Sequence, residues 1–530
     1  MGTLKYKKLN ILNHIDICQK NIFWQSIILI LASSLSSLSF NGNLIFVPLT
    51  IVALNILFTL ISADNCNLIK SCYFGFLFSF FMLFFGLCWI SIAFEVGNAG
   101  GIFIGLLAVL LLCIFLSFFA VICIAISKFL YSYWNLNLLG FAIICSVFIS
   151  FSEYTRGYFL GGFPWNTLGY IWSDSYIFLQ PVSLIGIYGL GLFSFLAIFS
   201  ISLFRVKIHY GFYALTPLLI LFVYGFIRSE VRDQQEFFTE SIRLVQPNIK
   251  QSEKWDTKFH KKHLEKLINL SKVNVKNDYP KYIIWPESAF MYDIDYLNKN
   301  NINLFKWVKD KQLVITGATR KVYKSDELSK IFNSIYFINN KGRLISYYDK
   351  VKLVPFGEFN PFSKIIKFIR LANGTIDFSV GRLSNIIDLG KNYNRIGALI
   401  CYEIIFSSKV VNGDRPDFLI NLTNDAWYKK SHGPIQHLSA ARVRAIEEGL
   451  PVLRVANTGI SSIITPLGVY IKSLPLETEG FIDSKIPKPD KPTLFSIYGN
   501  KIYIIICLIM LFISRFLFLG KVNIRKKYEG

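Results

Sequence analysis

The chain has 530 residues, of which 53% belong to the hydrophobic class and only 17% are charged, and its mean hydropathy is +0.44. That composition excludes disorder, a collagen-like repeat and a small disulfide scaffold, and it leaves too little charge to solvate a purely soluble enzyme. The net charge of +22 suits an anionic membrane surface; the basic residues are scattered and flank apolar runs, so no nucleic acid is expected as a partner.

The first 20 residues form a short basic tail, and residues 21–228 are an almost unbroken apolar block. A spanning helix needs about 20 apolar residues. Seven such runs are expected near 22–40, 44–62, 72–94, 102–127, 136–151, 177–203 and 211–228, separated by polar or glycine punctuation such as Asn41-Gly42-Asn43 and Asp64-Asn65. An eighth run, within 500–519, precedes a basic tail at 520–530. With a cytoplasmic N-terminus, Lys20, Lys70, Lys128, Arg205, Lys207 and Arg525 all fall inside, whereas Arg156 alone falls in an outer loop of the first block. By the positive-inside rule both termini are then cytoplasmic and the polar domain lies outside. The first run follows lysines and contains Ala32-Ser33-Ser34, as a cleavable signal would, but is read as a retained anchor.

Residues 229–494 read as an α/β domain. Short β-rich runs are expected at 241–245, 281–285, 312–316, 334–338, 343–347, 395–400, 417–421, 452–456 and 460–464, with helices at 256–272 and 435–448 between them. Pro487, Pro489 and Pro492 form a stiff spacer before the last run. Of nine cysteines only Cys401 lies in this polar part, so no disulfide forms within it.

Three reactive groups stand directly after expected strands: Glu287 after Tyr282–Pro286, Lys350 after Leu344–Asp349, and Cys401 after Ile396–Ile400. The carboxyl ends of strands are where α/β sheets build sites, and a carboxylate, an ammonium and a thiol there amount to a base, an electrostatic stabiliser and a nucleophile. Each has a plainer reading when taken singly: a core cysteine, a capping glutamate, a solvated lysine. The histidines complete no metal site: His260 and His263 lie on a lysine-rich helix, His432 and His437 flank a Gly-Pro, and no carboxylate cluster or CxxC joins them.

The flanking runs Trp285-Pro286-Glu287-Ser288, Lys350-Val351-Lys352-Leu353-Val354-Pro355-Phe356-Gly357-Glu358-Phe359 and Cys401-Tyr402-Glu403 occur in that order. They resemble the nitrilase (carbon–nitrogen hydrolase) superfamily. Together with the spans and with Gly161-Gly162-Phe163-Pro164-Trp165, the chain is similar to its membrane branch, the apolipoprotein N-acyltransferases of bacterial inner membranes. The resemblance implies a multi-span α-helical membrane domain (eight spans) plus an α/β nitrilase-like αββα sandwich domain, with the catalytic domain on the periplasmic side. It implies Glu287, Lys350 and Cys401 as the catalytic trio, supported by Glu358, Tyr402 and Glu403. Trp255, Asn424 and Trp427 are implied on the substrate side, although exposed packing for Trp255 and a simple turn for Asn424 stay open. Lys352 departs from the family pattern, which often has His there. The implied reaction moves a fatty acyl chain from a phospholipid donor through a Cys401 thioester to a diacylglyceryl apolipoprotein, among membrane lipids and without cofactor or metal. A membrane-tethered amidase acting on a small amide is the alternative.

One further expectation owes nothing to resemblance. Residues 362–371 have helical periodicity, with Lys364, Lys367 and Arg370 along one side and Phe362, Ile365, Ile366 and Phe368 among the rest. They are expected to form an interfacial helix, a movable lip over the Cys401 pocket, or else an ordinary packed surface helix.

Overall fold

The computed structural model describes residues 21–231, 235–273, 279–300, 302–325, 327–360, 377–382 and 384–518. The expected helix at 362–371 lies outside the described residues.

Among the described residues, seven helices are long and apolar enough to cross a membrane: Ile22–Phe40, Leu44–Ser62, Leu68–Val96, Gly101–Tyr133, Leu138–Arg156, Val182–Phe204 and Ile208–Val231. An eighth apolar helix, Lys501–Leu517, packs against Leu138–Arg156 and Val182–Phe204. Asn21, Asn67 and Asn137 cap three of these helices, each side-chain oxygen accepting an N–H of the first turn, which explains why the polar punctuation falls where the helices begin. Side chains on the outer helices are widely exposed, for example Phe103, Leu111, Ile122, Ile220 and Phe512, as a lipid-facing surface requires. The chain is a membrane protein.

The remainder is a pair of stacked six-stranded sheets. The first contains β1 (Phe237–Gln246), β2 (Tyr282–Ile284), β3 (Leu313–Lys324), β4 (Glu327–Asn339), β5 (Leu344–Asp349) and, at its far edge, β12 (Gly480–Pro487), in the order β12-β1-β2-β3-β4-β5. The second contains β6 (Ile386–Ile387), β7 (Ile396–Ile400), β8 (Phe418–Thr423), β9 (Val452–Ala456), β10 (Ser461–Ile464) and β11 (Tyr470–Leu474), in the order β11-β10-β9-β8-β7-β6. In both, the central strands β1–β3 and β7–β9 run parallel. Every expected strand is present; β6, β11 and β12 were not anticipated because they are short or carry little apolar alternation.

Side chains of a strand alternate between its two faces. Ile242, Leu244, Ile284, Ile315, Ile335 and Phe337 from the first sheet meet Ile396, Ala398, Ile400, Ile420, Leu422 and Val455 from the second, forming the core between the sheets. The outer face of the first sheet, with Val245, Ile283 and Trp285, is covered by the helix Thr257–Lys272 through Leu264 and Leu267. The outer face of the second sheet is covered by the helix Gly433–Glu448. That helix and the outward residues Leu399, Leu419 and Val452 belong to the same apolar cluster as the spans. The αββα sandwich is therefore joined to the membrane block by continuous packing along one helical layer.

Candidate active site

Glu287 follows β2 in a turn whose backbone lies directly against β3. A Cβ on Gly317 would come within 2.4 Å of Ser288 N and 2.6 Å of the Glu287 Cα, so only glycine lets β3 approach so closely. Lys254 donates to the Glu287 main-chain oxygen (2.9 Å). Lys350 follows β5, with its N–H on Asn333 O at 2.8 Å. Its side chain is only 1% exposed. The ammonium lies 3.7 Å from Glu287 Oε1 and donates to Glu358 Oε1 at 2.9 Å. Asn333 Nδ2 donates to both carboxylates, at 2.8 Å each, and so spaces them around the cation.

Cys401 closes the far side. It follows β7 and opens a short 3-10 turn, Cys401–Ile405, in the left-handed region with φ 48°, which a side-chain-bearing residue rarely adopts. Thr423 Oγ1 donates to its sulfur at 3.3 Å. Burial, and then the Glu287 carboxylate, push the thiol up to about 12, while Lys350 pulls the other way. The resting sulfur is thus a neutral thiol that feels the charges of both a carboxylate and an ammonium, so a base is needed before it can attack. Burial alone would lower the pKa of Lys350, but Glu358 and then Glu287 overcome it and hold the ammonium well above its ordinary value. Lys254, where burial dominates, is pulled down to about 8.

Glu403 is a brace. Its Oε1 accepts from Tyr348 OH (2.8 Å), Val351 N (2.8 Å) and Lys352 N (3.1 Å), and its Oε2 from Ile400 N (2.8 Å). One carboxylate thereby ties the Lys350 loop to the Cys401 turn. Glu358 also accepts from Val354 N at 2.8 Å, which folds the Leu-Val-Pro-Phe-Gly-Glu run back on itself. Tyr402 OH donates to Gly162 O at 2.8 Å, bonding the residue beside the thiol to the loop after the fifth span. Lys352 points away, its ammonium 5.4 Å from the centre of the Phe406 ring.

The three substrate-side residues behave differently. Asn424 is buried and bonded on both sides: its Nδ2 donates to Gln251 Oε1 (2.8 Å) and its Oδ1 accepts from Asn457 (3.0 Å). Trp255 follows the turn Gln251–Lys254 and is 47% exposed, ring outward. Trp427 is half-buried in the turn Asp425–Tyr428.

Sequence reasoning passed over His437. The fold sets its Nδ1 3.0 Å from Asp425 Oδ1 and its Nε2 3.0 Å from the Cys401 main-chain oxygen. A carboxylate does join this histidine, contrary to the expectation for it. The ligand atoms of Cys401, Asp425 and His437 lie within 4.8 Å of one another, close enough for a metal ion by distance. Arg454 Nη2, 2.7 Å from Asp425 Oδ2 and 3.1 Å from His437 Nδ1, already neutralises the carboxylate and opposes a cation there. Burial works to raise the pKa of Asp425, but Arg454 and then His437 hold it at about 2. Burial and then Arg454 lower that of His437. The signal for this group was in the sequence as polar residues alternating within buried strands: Asn421 and Thr423 in β8, Arg454 in β9.

Residues 241–490 match the carbon-nitrogen hydrolase family, and residues 32–201 match the apolipoprotein N-acyltransferase N-terminal domain. The chain is 36% identical to the apolipoprotein N-acyltransferase of Rickettsia typhi over 440 residues, covering 81% of this chain and 86% of that one. It is 33% identical to the protein of the same name from Rhodopseudomonas palustris, over 80% of this chain and 82% of that one. Among solved structures, an amidase from Nesterenkonia sp. aligns with 48% of this chain and 92% of its own, at 14% identity and a TM-score of 0.34.

Proposed function

The chain belongs to the apolipoprotein N-acyltransferase family, and on that premise we propose that Cys401 carries a fatty acyl chain as a thioester between a membrane phospholipid and the N-terminal diacylglyceryl-cysteine of an apolipoprotein. In the first half-reaction the Cys401 sulfur attacks the phospholipid ester carbonyl and its proton passes to Glu287. The carbonyl electrons move onto oxygen, where Lys350 and the Tyr402 N–H stabilise them. Collapse breaks the ester C–O bond, and the departing lysophospholipid takes the proton from Glu287. In the second, the free α-amine attacks the thioester carbonyl and gives its proton to Glu287. The C–S bond then breaks, the sulfur recovers the proton, and an amide is left. Such a cycle is ping-pong.

The observation that carries this reading is the bond from Tyr402 to Gly162: the residue next to the thiol is fastened to the membrane block, so the nucleophile works where acyl chains are. Proximity to lipid also keeps water from the thioester, which separates a transferase from a hydrolase. The same reading divides the chain into a seven-span block at 21–228, a periplasmic catalytic domain at 229–494 and an eighth span within 500–519, with both termini cytoplasmic in a bacterial inner membrane. The lysine and arginine distribution supports that sidedness. An impermeant thiol label on a cysteine introduced at Lys488 tests it in spheroplasts; labelling only after lysis inverts the topology.

Intact-protein mass spectrometry in phospholipid vesicles tests the chemistry. The wild type gains a hydroxylamine-labile acyl mass that disappears when a diacylglyceryl-cysteine peptide is added, and Cys401→Ala gains none. An adduct that persists in Cys401→Ala overturns the nucleophile. Absence of any adduct in the wild type, together with ammonia release from small amides, replaces the transferase by the amidase.

A further inference from the structure

Beneath Cys401 lies a buried polar cradle that the proposed proton transfers do not use. The main-chain oxygen of Cys401 turns into it and meets two donors, Asn421 Nδ2 at 3.3 Å and His437 Nε2 at 3.0 Å. A carbonyl oxygen only accepts, so the Nε2 of His437 carries a proton. His437 is therefore not the base of a Cys–His pair: it addresses the backbone of the cysteine, while Thr423 addresses the sulfur.

Both donors are keyed by one guanidinium. Arg454 Nη1 donates to Asn421 Oδ1 at 2.7 Å, which fixes the amide so that its nitrogen faces Cys401. Arg454 Nη2 donates to Asp425 Oδ2 at 2.7 Å and lies 3.1 Å from His437 Nδ1, which accepts from it when Nε2 holds the ring's proton. Arg454 and Asn421 are 0% exposed, and Asp425 and His437 are almost as enclosed. The strand register builds this arrangement. Asn421 stands opposite Leu399 of β7 on one side and Arg454 of β9 on the other, and alternation sends Asn421 and Thr423 to the face away from Ile420 and Leu422. The helix Gly433–Glu448 covers that face and brings His437 down onto it.

A trans peptide is planar, and its C=O and N–H point in opposite directions. The oxygen held in the cradle and the N–H of Tyr402 belong to the same peptide unit. Fixing the oxygen from below thus aims the Tyr402 N–H away from the cradle. It also holds in place the left-handed backbone of Cys401, which strain alone would relax. When the N–H donates to a developing oxyanion, charge shifts toward the carbonyl oxygen of its peptide, and the two donors there strengthen in turn.

We propose that His437 and Asn421, set by Arg454 and Asp425, are positioning residues that hold the Cys401–Tyr402 peptide so that its N–H serves the oxyanion formed at Cys401. The inference rests on the acyl-thioester reading above. It separates two reactions of one sulfur. Acylation by an ester passes through a tetrahedral oxyanion. Alkylation by iodoacetamide displaces iodide at a saturated carbon and forms none.

The test compares both reactions on the full-length protein in detergent–phospholipid micelles. One is the burst of p-nitrophenolate from a fatty-acid p-nitrophenyl ester; the other is carbamidomethylation of Cys401, read by mass. In His437→Ala and Asn421→Ala the acylation burst slows by ~10- to 100-fold, the scale for an oxyanion contact that is displaced rather than deleted, while alkylation stays within about threefold. His437→Gln, which keeps an N–H donor of similar reach, recovers most of the burst. The unchanged alkylation rate reports that the site is still folded. Equal losses in both reactions, no loss in either, or a Gln variant no better than Ala overturn the proposal. A wild type that alkylates but never acylates overturns the thioester reading itself, and the inference falls with it.

Discussion

The backbone N–H of Ile187 donates to Glu447 Oε1 at 2.8 Å. The N–H is free for this because Gly186 interrupts the span Val182–Phe204 with φ 69°. A Cβ at Gly186 would come within 2.3 Å of the Phe495 ring, so the break and the close packing need the same glycine. Glu447 also accepts from Ser407 Oγ, and Arg444 Nε lies 3.0 Å from its other oxygen. An interrupted apolar helix and the buried helix of the sheet domain thus share one carboxylate.

Glu447→Ala strands Arg444 and the Ile187 N–H together in an enclosed site. The expected loss is about 3–5 kcal/mol, the usual consequence of removing one member of a buried pair. It is measured as a fall in the unfolding midpoint of the purified protein in detergent. A shift corresponding to less than about 1 kcal/mol would show that the junction is not held by this group.

On the proposed roles, Glu287→Gln removes the proton acceptor and Lys350→Ala removes the cation, so each variant should form acyl-enzyme ~100-fold or more slowly than the wild type. Quenched-time mass spectrometry of the Cys401 adduct gives both rates. Normal acylation in either variant would remove its residue from the mechanism.

The Cys401 thiol is held at about 12 by burial and by Glu287. Its alkylation by iodoacetamide should therefore climb about tenfold per pH unit from 7 to 10 with no plateau, because the thiolate fraction is still small throughout. A plateau near pH 8.5 would mean an ordinary exposed thiol. Glu287→Gln should alkylate faster at a given pH, since the neighbouring negative charge is gone.

Asp425 is ionised in a closed site, at about 2 against an ordinary value near 3.8. A depressed carboxyl contributes stability that is fully present above its unfolded pKa and is lost as pH falls toward its folded one. The difference of just under two units corresponds to about 2 kcal/mol, lost between about pH 4 and pH 2. The prediction is checked by unfolding midpoints of wild type and Asp425→Asn across that range. The stability advantage of the wild type should shrink as the medium is acidified. A constant difference would place the titration elsewhere.

The apolar helices, the strands and the placing of Glu287, Lys350 and Cys401 directly after strands were legible in the chain because each is written locally. Continuous apolar runs mark helices in lipid, and polar punctuation such as Asn41-Gly42-Asn43 marks the breaks between them. Glu287, Lys350 and Cys401 each stand at the end of a strand whose pattern is local too. Glu358 was equally readable, since it lies eight residues from the lysine it touches. The bonds of Asn424 were not: its turn could be read as a substrate loop or as a simple turn, and its partners Gln251 and Asn457 lie far off in sequence.

What tertiary structure alone decided is the polar environment of those groups. Asn333 bridges two carboxylates 46 and 25 residues away, and His437 reaches the backbone of a cysteine 36 residues before it. Neither separation has a local period. The first contact exists because β3 pairs with β2 on one side and β4 on the other, and the second because parallel strands β7, β8 and β9 stack in one register and a helix closes their outer face. A buried Asn, Asp, His or Arg in a single sequence states only that some partner must be found, since an unpaired polar group in the interior costs too much to keep. Which partner it is follows from the packing of strands and helix, and that packing brings together Cys401, His437, Asn421 and Arg454 where the linear order keeps them apart.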